Sequence, residues 1–141
     1  MNELLNFRLI PLEAVNQFLP SIRWLIESAL DNTDITFEQA KVYITNGTWP
    51  LILGFDEEGE VKGAVTLSLV NQPNDRTATI VTMGGWPGVV NRHNFDQVCS
   101  IAKALGATKI QALSTRNGAR LFRRVGFIER SVLVEMKVWV D

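Results

Sequence analysis

The chain has one cysteine, Cys99, and one histidine, His93. A lone cysteine excludes an internal disulfide and a cysteine cage for a metal, and a single histidine leaves little from which to build a His/Cys metal centre. No metal is expected, and a serine triad would have to rest on His93 alone. Charge of either sign is also in short supply: 14 Lys and Arg face 15 Asp and Glu, for a net charge of −1. Without a basic excess, neither nucleic acid nor an anionic membrane surface is an expected partner. No apolar run approaches the roughly 20 residues of a membrane span. "MNELLNFRLI" lacks the basic and apolar regions of a signal peptide, so a soluble, cytoplasmic protein is the expectation.

Apolar residues are plentiful. They make up 46% of the 141 residues, enough to fill one core, and the expectation is a single domain over 1–141. Neither a repeat nor a low-complexity tract interrupts the chain.

Periodicity gives the element order. "FRLI" (Phe7 to Ile10) reads as a first strand. Leu12, Val15 and Phe18 recur at helical spacing, and Pro20 breaks that helix and opens another, in which Ile22, Leu25, Ile26, Ala29 and Leu30 share a face. A third helix follows, with Thr36 and Gln39 as a capping box and Asn46-Gly47 as its end. "WPLILGF", "VKGAVTLSLV" and "RTATIVTM" (Arg76 to Met83) form an antiparallel meander. Gly59 stands in the first turn, and Gly63 marks a bulge or a close approach of another group. "NRHNFDQVCSIAKALG" is a helix whose apolar face carries Phe95, Val98, Cys99, Ala102 and Leu105. "TKIQALS" is a strand, and a helix from Arg116 to Val125 comes next. Gly118, Leu121, Phe122 and Val125 line its apolar side, and Arg116, Arg120, Arg123 and Arg124 its polar side. "SVLVEMKVWV" alternates cleanly and reads as a last strand, with Val132, Val134, Met136, Val138 and Val140 on one face. Crossovers occur only in the second half, which implies a mixed, mostly antiparallel sheet flanked by helices, of the α/β (α+β) class.

This order resembles the GNAT superfamily of acyl-CoA-dependent N-acyltransferases. "LFRRVGF" is similar to the superfamily's "LYxxxGF", and "ALGATKIQAL" to its usual helix end, turn and fifth strand. The resemblance implies acetyl-CoA as co-substrate and a small-molecule or protein amine as acceptor, with a homodimer allowed. It further implies a sheet that splays between the strand ending at Met83 and the strand from Lys109 to Ser114. The pantetheine arm would pair with Val81, Thr82 and Met83. The superfamily's R/Q-x-x-G-x-G/A loop, whose amides wrap a pyrophosphate at a helix N-terminus, falls on "GGWPGVVNR". There the arginine is absent and Pro87 has no N–H. The remaining cradle is Gly88, Val89, Val90 and Asn91, with Asn117 and Phe122 also placed against the cofactor.

Phe122 stands where relatives carry a tyrosine that protonates the leaving thiolate. Without a hydroxyl it cannot donate, and losing a general acid slows such reactions by ~10² to 10⁴. A general base would be Glu135 or His93, with Asp96 also considered. Ser114 and Thr115 either hold a water or cap the next helix. Bland readings stand beside these: Phe122 as core, Cys99 as a buried thiol, His93 as solvated surface, the arginine stripe as a solvated face or a contact for the CoA 3′-phosphate or an acidic partner, and Trp86 as packing or a contact for a ligand or partner. A non-catalytic module serving as a binding or structural subunit is the alternative function.

Overall fold

The computed structural model describes residues 3–31, 33–85, 88–113, 116–136 and 138, with backbone alone for 116–118. Its strands are β1 (Asn6–Leu9), β2 (Leu51–Phe55), β3 (Val61–Asn71), β4 (Arg76–Gly85) and β5 (Lys109–Ala112). Its helices are α1 (Val15–Leu30), α2 (Phe37–Thr45), α3 (Arg92–Ala104) and α4 (Arg116–Arg124). The sheet order is β1-β2-β3-β4-β5. The first three pairings are antiparallel and the last is parallel, across the α3 crossover. The expected mixed α+β architecture is therefore present.

Alternation along the strands divides the core in two. Leu51, Leu53 and Ala64 face α1 and α2 and pack with Leu19, Ile22 and Ile26. Ile52, Val65, Leu67, Ala78 and Ile80 face the other way and pack with Phe95 and Val98 of α3 and Phe122 of α4. The two-residue period of a strand places successive side chains on opposite faces, so each central strand serves both layers.

Local chemistry sets several boundaries as expected. Gln39 N–H donates to Thr36 Oγ1 at 3.2 Å and Thr36 N–H to Gln39 Oε1 at 2.9 Å, completing the capping box of α2. Gly47 follows its C-cap at φ 84°, a left-handed conformation open to glycine.

Three expectations are corrected. Pro20 does not divide the first helical region. A short 3-10 turn (Leu12–Ala14) leads into one continuous α1 with Pro20 inside it. A proline there forfeits a backbone bond at about 3 kcal/mol. Six buried apolar residues of α1, from Val15 to Leu30, offset that loss. Leu121 does not join the buried face of α4, for it is 42% exposed beside buried Phe122 and Val125. Finally, residues 131–136 and 138 form no strand, and their large apolar side chains lie open to solvent. Alternation qualifies a segment to pair but does not supply a partner. Lys137 and Val140 lie outside the described residues.

Candidate functional site

The site begins at a mismatch in strand length. β5 pairs with β4 through four residues, Thr77↔Lys109 to Ile80↔Ala112, and then ends. β4 continues to Gly85, still paired with β3 on its other side: Thr82 opposite Thr66, Met83 opposite Val65, Gly84 opposite Ala64. From Val81 onward, the edge of β4 that faces away from β3 carries no strand among the described residues. Backbone N–H and C=O groups along such an edge can accept an extended ligand as a further strand.

A bulge stands at the same point. Thr66 pairs with Thr82 and Leu67 with Ile80, so Val81 is the extra residue on β4. A bulge bends its strand and increases local twist, which turns β4 away from the line of β5. Just past it, the Thr66 and Thr82 hydroxyls meet at 2.7 Å, both residues being almost wholly buried. The Thr82 side chain is thus held inside the fold on the α1 face, leaving its backbone as the part of Thr82 available to the open edge.

The β4–α3 connection folds back over the sheet. Gly63 and Gly85 are cross-strand partners, and a Cβ at either would come within 3.3 Å of Val89, so the Val89 side chain sits on a flat patch made by two glycines. The close approach expected at Gly63 is this contact. The adjacent bulge, where Gly54 pairs with Gly63 and Phe55 with Val61, leaves Lys62 as the extra residue. Gly88 has φ 91°, a left-handed turn. Asn91 caps α3: its Oδ1 accepts from Asn94 N–H at 2.9 Å, and its Nδ2 donates to Gly88 O at 2.9 Å and Glu3 O at 3.0 Å. Asn91 N–H donates to Val89 O. The Asn91 and Asn94 amides therefore already have partners, which leaves Arg92 and His93 to offer donors in the first turn of α3.

Asn94 is the residue that sequence reasoning missed. It is 1% exposed. Its Oδ1 accepts from Leu5 N–H at 2.9 Å, and its Nδ2 donates at 2.7 Å to both Glu3 O and Val89 O. Gln97, one turn on, accepts from Phe7 N–H at 3.0 Å and donates to Leu5 O at 2.7 Å. Two amide side chains thus satisfy the outer edge of β1 and tie it to the loop leading into α3. The only signal in the sequence was amide residues three apart at a helix start.

No protein-family model and no curated protein matches the sequence. Solved structures do match. An aminoglycoside antibiotic 6'-N-acetyltransferase from Acinetobacter baumannii superposes with a TM-score of 0.66 at 16% identity, over 97% of this chain and 99% of its own. A ribosomal-protein-alanine N-acetyltransferase from Brucella melitensis biovar Abortus 2308 gives 0.68 at 13%, over 96% and 99%. A predicted acetyltransferase from Clostridium acetobutylicum, solved with acetyl-CoA, gives 0.62 at 14%, over 95% and 96%. This is the GNAT fold.

Within the GNAT fold, the residues singled out from the sequence fall in three places. Val81, Thr82 and Met83 lie together on the open edge of β4. Gly88, Val89, Val90 and Asn91 form the turn before α3, with Val89 buried on the sheet and Val90 half-buried. Phe122 is 9% exposed in an aromatic cluster, its ring 4.8 Å from Phe127 and 6.3 Å from Phe95, and Asn117 lies in the first turn of α4. The two candidate bases are elsewhere. His93 lines an open groove along β1 with Arg8, Phe18, Phe55, Asp56 and Glu57. Glu135 is exposed on the unpaired segment after α4. Trp86, Pro87, Ser114 and Thr115 lie outside the described residues.

Burial pushes the Cys99 thiol above its ordinary value, Asp96 adds to the effect and Arg92 opposes it, so the thiol stays protonated at neutral pH. A protonated, half-buried thiol is a poor nucleophile, in keeping with a structural part. Among the described residues no helix is long and apolar enough to cross a membrane, and no cluster of three or more His, Cys, Asp or Glu side chains could hold a metal.

Proposed function

We propose that the protein is an acetyl-CoA-dependent N-acetyltransferase acting on a primary amine, small or protein-borne. The observation that carries this reading is the opening beyond Ile80, where β4 continues and β5 does not. A pantetheine arm fits there as an extended strand along Val81–Met83, beside a fold in which one neighbour was solved with acetyl-CoA. The turn at Gly88–Val90 and the first turn of α3 would meet the pyrophosphate with backbone donors and the positive end of the helix dipole.

In this reading the neutral amine attacks the thioester carbonyl carbon. Backbone N–H groups of Val81–Met83 stabilise the charge that develops on the carbonyl oxygen. The C–S bond breaks, CoA leaves as the thiolate, and the amine gives its proton to a base reached directly or through water. His93, in the groove beside β1, and Glu135, on the segment after α4, do not border the opening, so either would act through water. Phe122 has no proton to offer the thiolate, so its departure relies on solvent and the rate is lower than with a hydroxyl there.

Two observations favour the alternative of a non-catalytic subunit. Phe122 is packed as core among Phe95 and Phe127, and Asn91 and Val89 of the turn before α3, with Asn94 of α3, are engaged in holding β1 and α3 together. Calorimetric titration with acetyl-CoA separates the readings. The transferase reading expects a dissociation constant in the micromolar range, about −8 kcal/mol. Absence of heat at millimolar ligand favours the structural subunit.

A further inference from the structure

Two observations fix how the last part of β4 lies against β3. The first is steric. Gly84 stands opposite Ala64 on the α1 face, where a Cβ would come within 2.3 Å of Leu25 O. A β4 without its bulge would bring Met83 to that place, and the α1 backbone leaves no room for a side chain there. Gly84 therefore requires one extra residue before it on β4. It does not choose the position, for an extra residue at Val81 or at Thr82 satisfies it equally.

The second observation makes the choice. With Val81 as the extra residue, Thr82 comes opposite Thr66 and their hydroxyls meet at 2.7 Å. Thr66 is 0% and Thr82 2% exposed. With Thr82 as the extra residue, Val81 would stand opposite Thr66 and leave a buried hydroxyl facing an apolar side chain, which is costly. The pair thus sets the bulge at Val81, the first residue beyond the last rung between β4 and β5, Ile80↔Ala112. A bulge interrupts the alternation of backbone N–H groups between the two edges of a strand. Its position decides which amides of Val81–Met83 face the opening.

We propose that the Thr66–Thr82 hydroxyl pair is a positioning device for the reaction: it holds the bulge at Val81 and so aims the β4 amides at the thioester carbonyl. The inference rests on the transferase reading for its use and on the free protein alone for its geometry. Thr66 belongs to β3 and is wholly buried, so it acts on the opening through Thr82 and the β4 backbone.

Substitutions at position 66 isolate the hydroxyl. Thr66→Ser keeps it and Thr66→Ala loses it. Thr66→Val also lacks it but keeps the volume, and stands in if the smaller side chain fails to fold. In the free protein, the amide resonances of Val81, Thr82 and Met83 are expected to move or broaden in the alanine and valine variants, as the bulge exchanges between two positions. In Thr66→Ser they are expected at their wild-type places. The infrared C=O stretch of bound acetyl-CoA, isotope-labelled at its thioester carbonyl, reads the aim of the amides. It is expected below the free value in wild type and Thr66→Ser, because N–H donors draw charge onto the oxygen, and back toward the free value without the hydroxyl. Resonances of Val81–Met83 that stay in place without the hydroxyl, or that move as far in Thr66→Ser, overturn the proposal. So does a bound carbonyl frequency common to all the variants, which makes the pair structural only. A wild-type protein that binds no acetyl-CoA overturns the transferase reading and the use proposed for the pair, while the free-protein spectra still decide whether the pair sets the bulge.

Discussion

Alanine in place of Asn94 lowers the stability of the fold by about 2–4 kcal/mol: one buried backbone N–H is left without a partner at roughly 1–3 kcal/mol, and two further hydrogen bonds are lost at roughly 0.5–1.5 kcal/mol each, with partial relaxation. The orphaned group is Leu5 N–H; Glu3 C=O and Val89 C=O each lose the bond from Asn94, whose side chain is 1% exposed, but keep one from Asn91. None can turn to water without moving β1 or the turn before α3. Aspartate is expected to be worse than alanine. It keeps an acceptor for Leu5 N–H but turns a carboxylate oxygen toward two carbonyl oxygens. Urea unfolding of the three proteins checks this order. A loss below about 1 kcal/mol for Asn94→Ala, the level of an exposed hydrogen bond, would mean that the clamp is not closed in solution. The same substitution should loosen the Gly88–Val90 turn and weaken any anion held there.

The second large effect is expected at Gly84. A Cβ at this position would stand 2.3 Å from Leu25 O and 3.0 Å from Leu25 C, which are backbone atoms of α1. A helix backbone cannot yield as a side-chain tip does. Gly84→Ala must therefore lift α1 from β4, at about 3 kcal/mol or more, the upper part of the range for overpacking. Gly59 provides the contrast. It has φ 83° and nothing within 4 Å of a built Cβ, so Gly59→Ala carries only the left-handed strain of roughly 1–2 kcal/mol. Thermal unfolding should rank Gly84→Ala well below Gly59→Ala. Equal melting points would show that α1 does not rest on β4 as described.

Much of this architecture was legible because its signals are local. The alternation of β2, β3 and β4, the Thr36/Gln39 box and the Asn46-Gly47 stop after α2 each act within a few residues. What was not legible depends on distant partners. The bulge at Val81 has no mark in "RTATIVTM", because the slip is defined by the pairing of Thr66 and Leu67 on β3. Asn94 reads as a solvated first-turn residue until residues 3–5 arrive from the other end of the chain. Pro20 followed its local rule in the sequence, and the buried stripe of α1 overrode it. The segment after Phe127 had the pattern of a strand, but pairing is a property of two segments. The site divides in the same way. The open edge of β4 was anticipated only from the resemblance to the GNAT superfamily, whereas the partners that occupy Asn91 were not visible without the third dimension.

The transferase reading requires a thioester-bearing tail to lie along the open edge of β4. An amide-resolved NMR titration with acetyl-CoA addresses it most directly. The expected result is that the backbone resonances of Val81, Thr82 and Met83 shift together and saturate at micromolar ligand, with those of Gly88 to Val90 following. Resonances of β4 that stay in place at millimolar acetyl-CoA, or shifts confined to the groove beside β1, would contradict it.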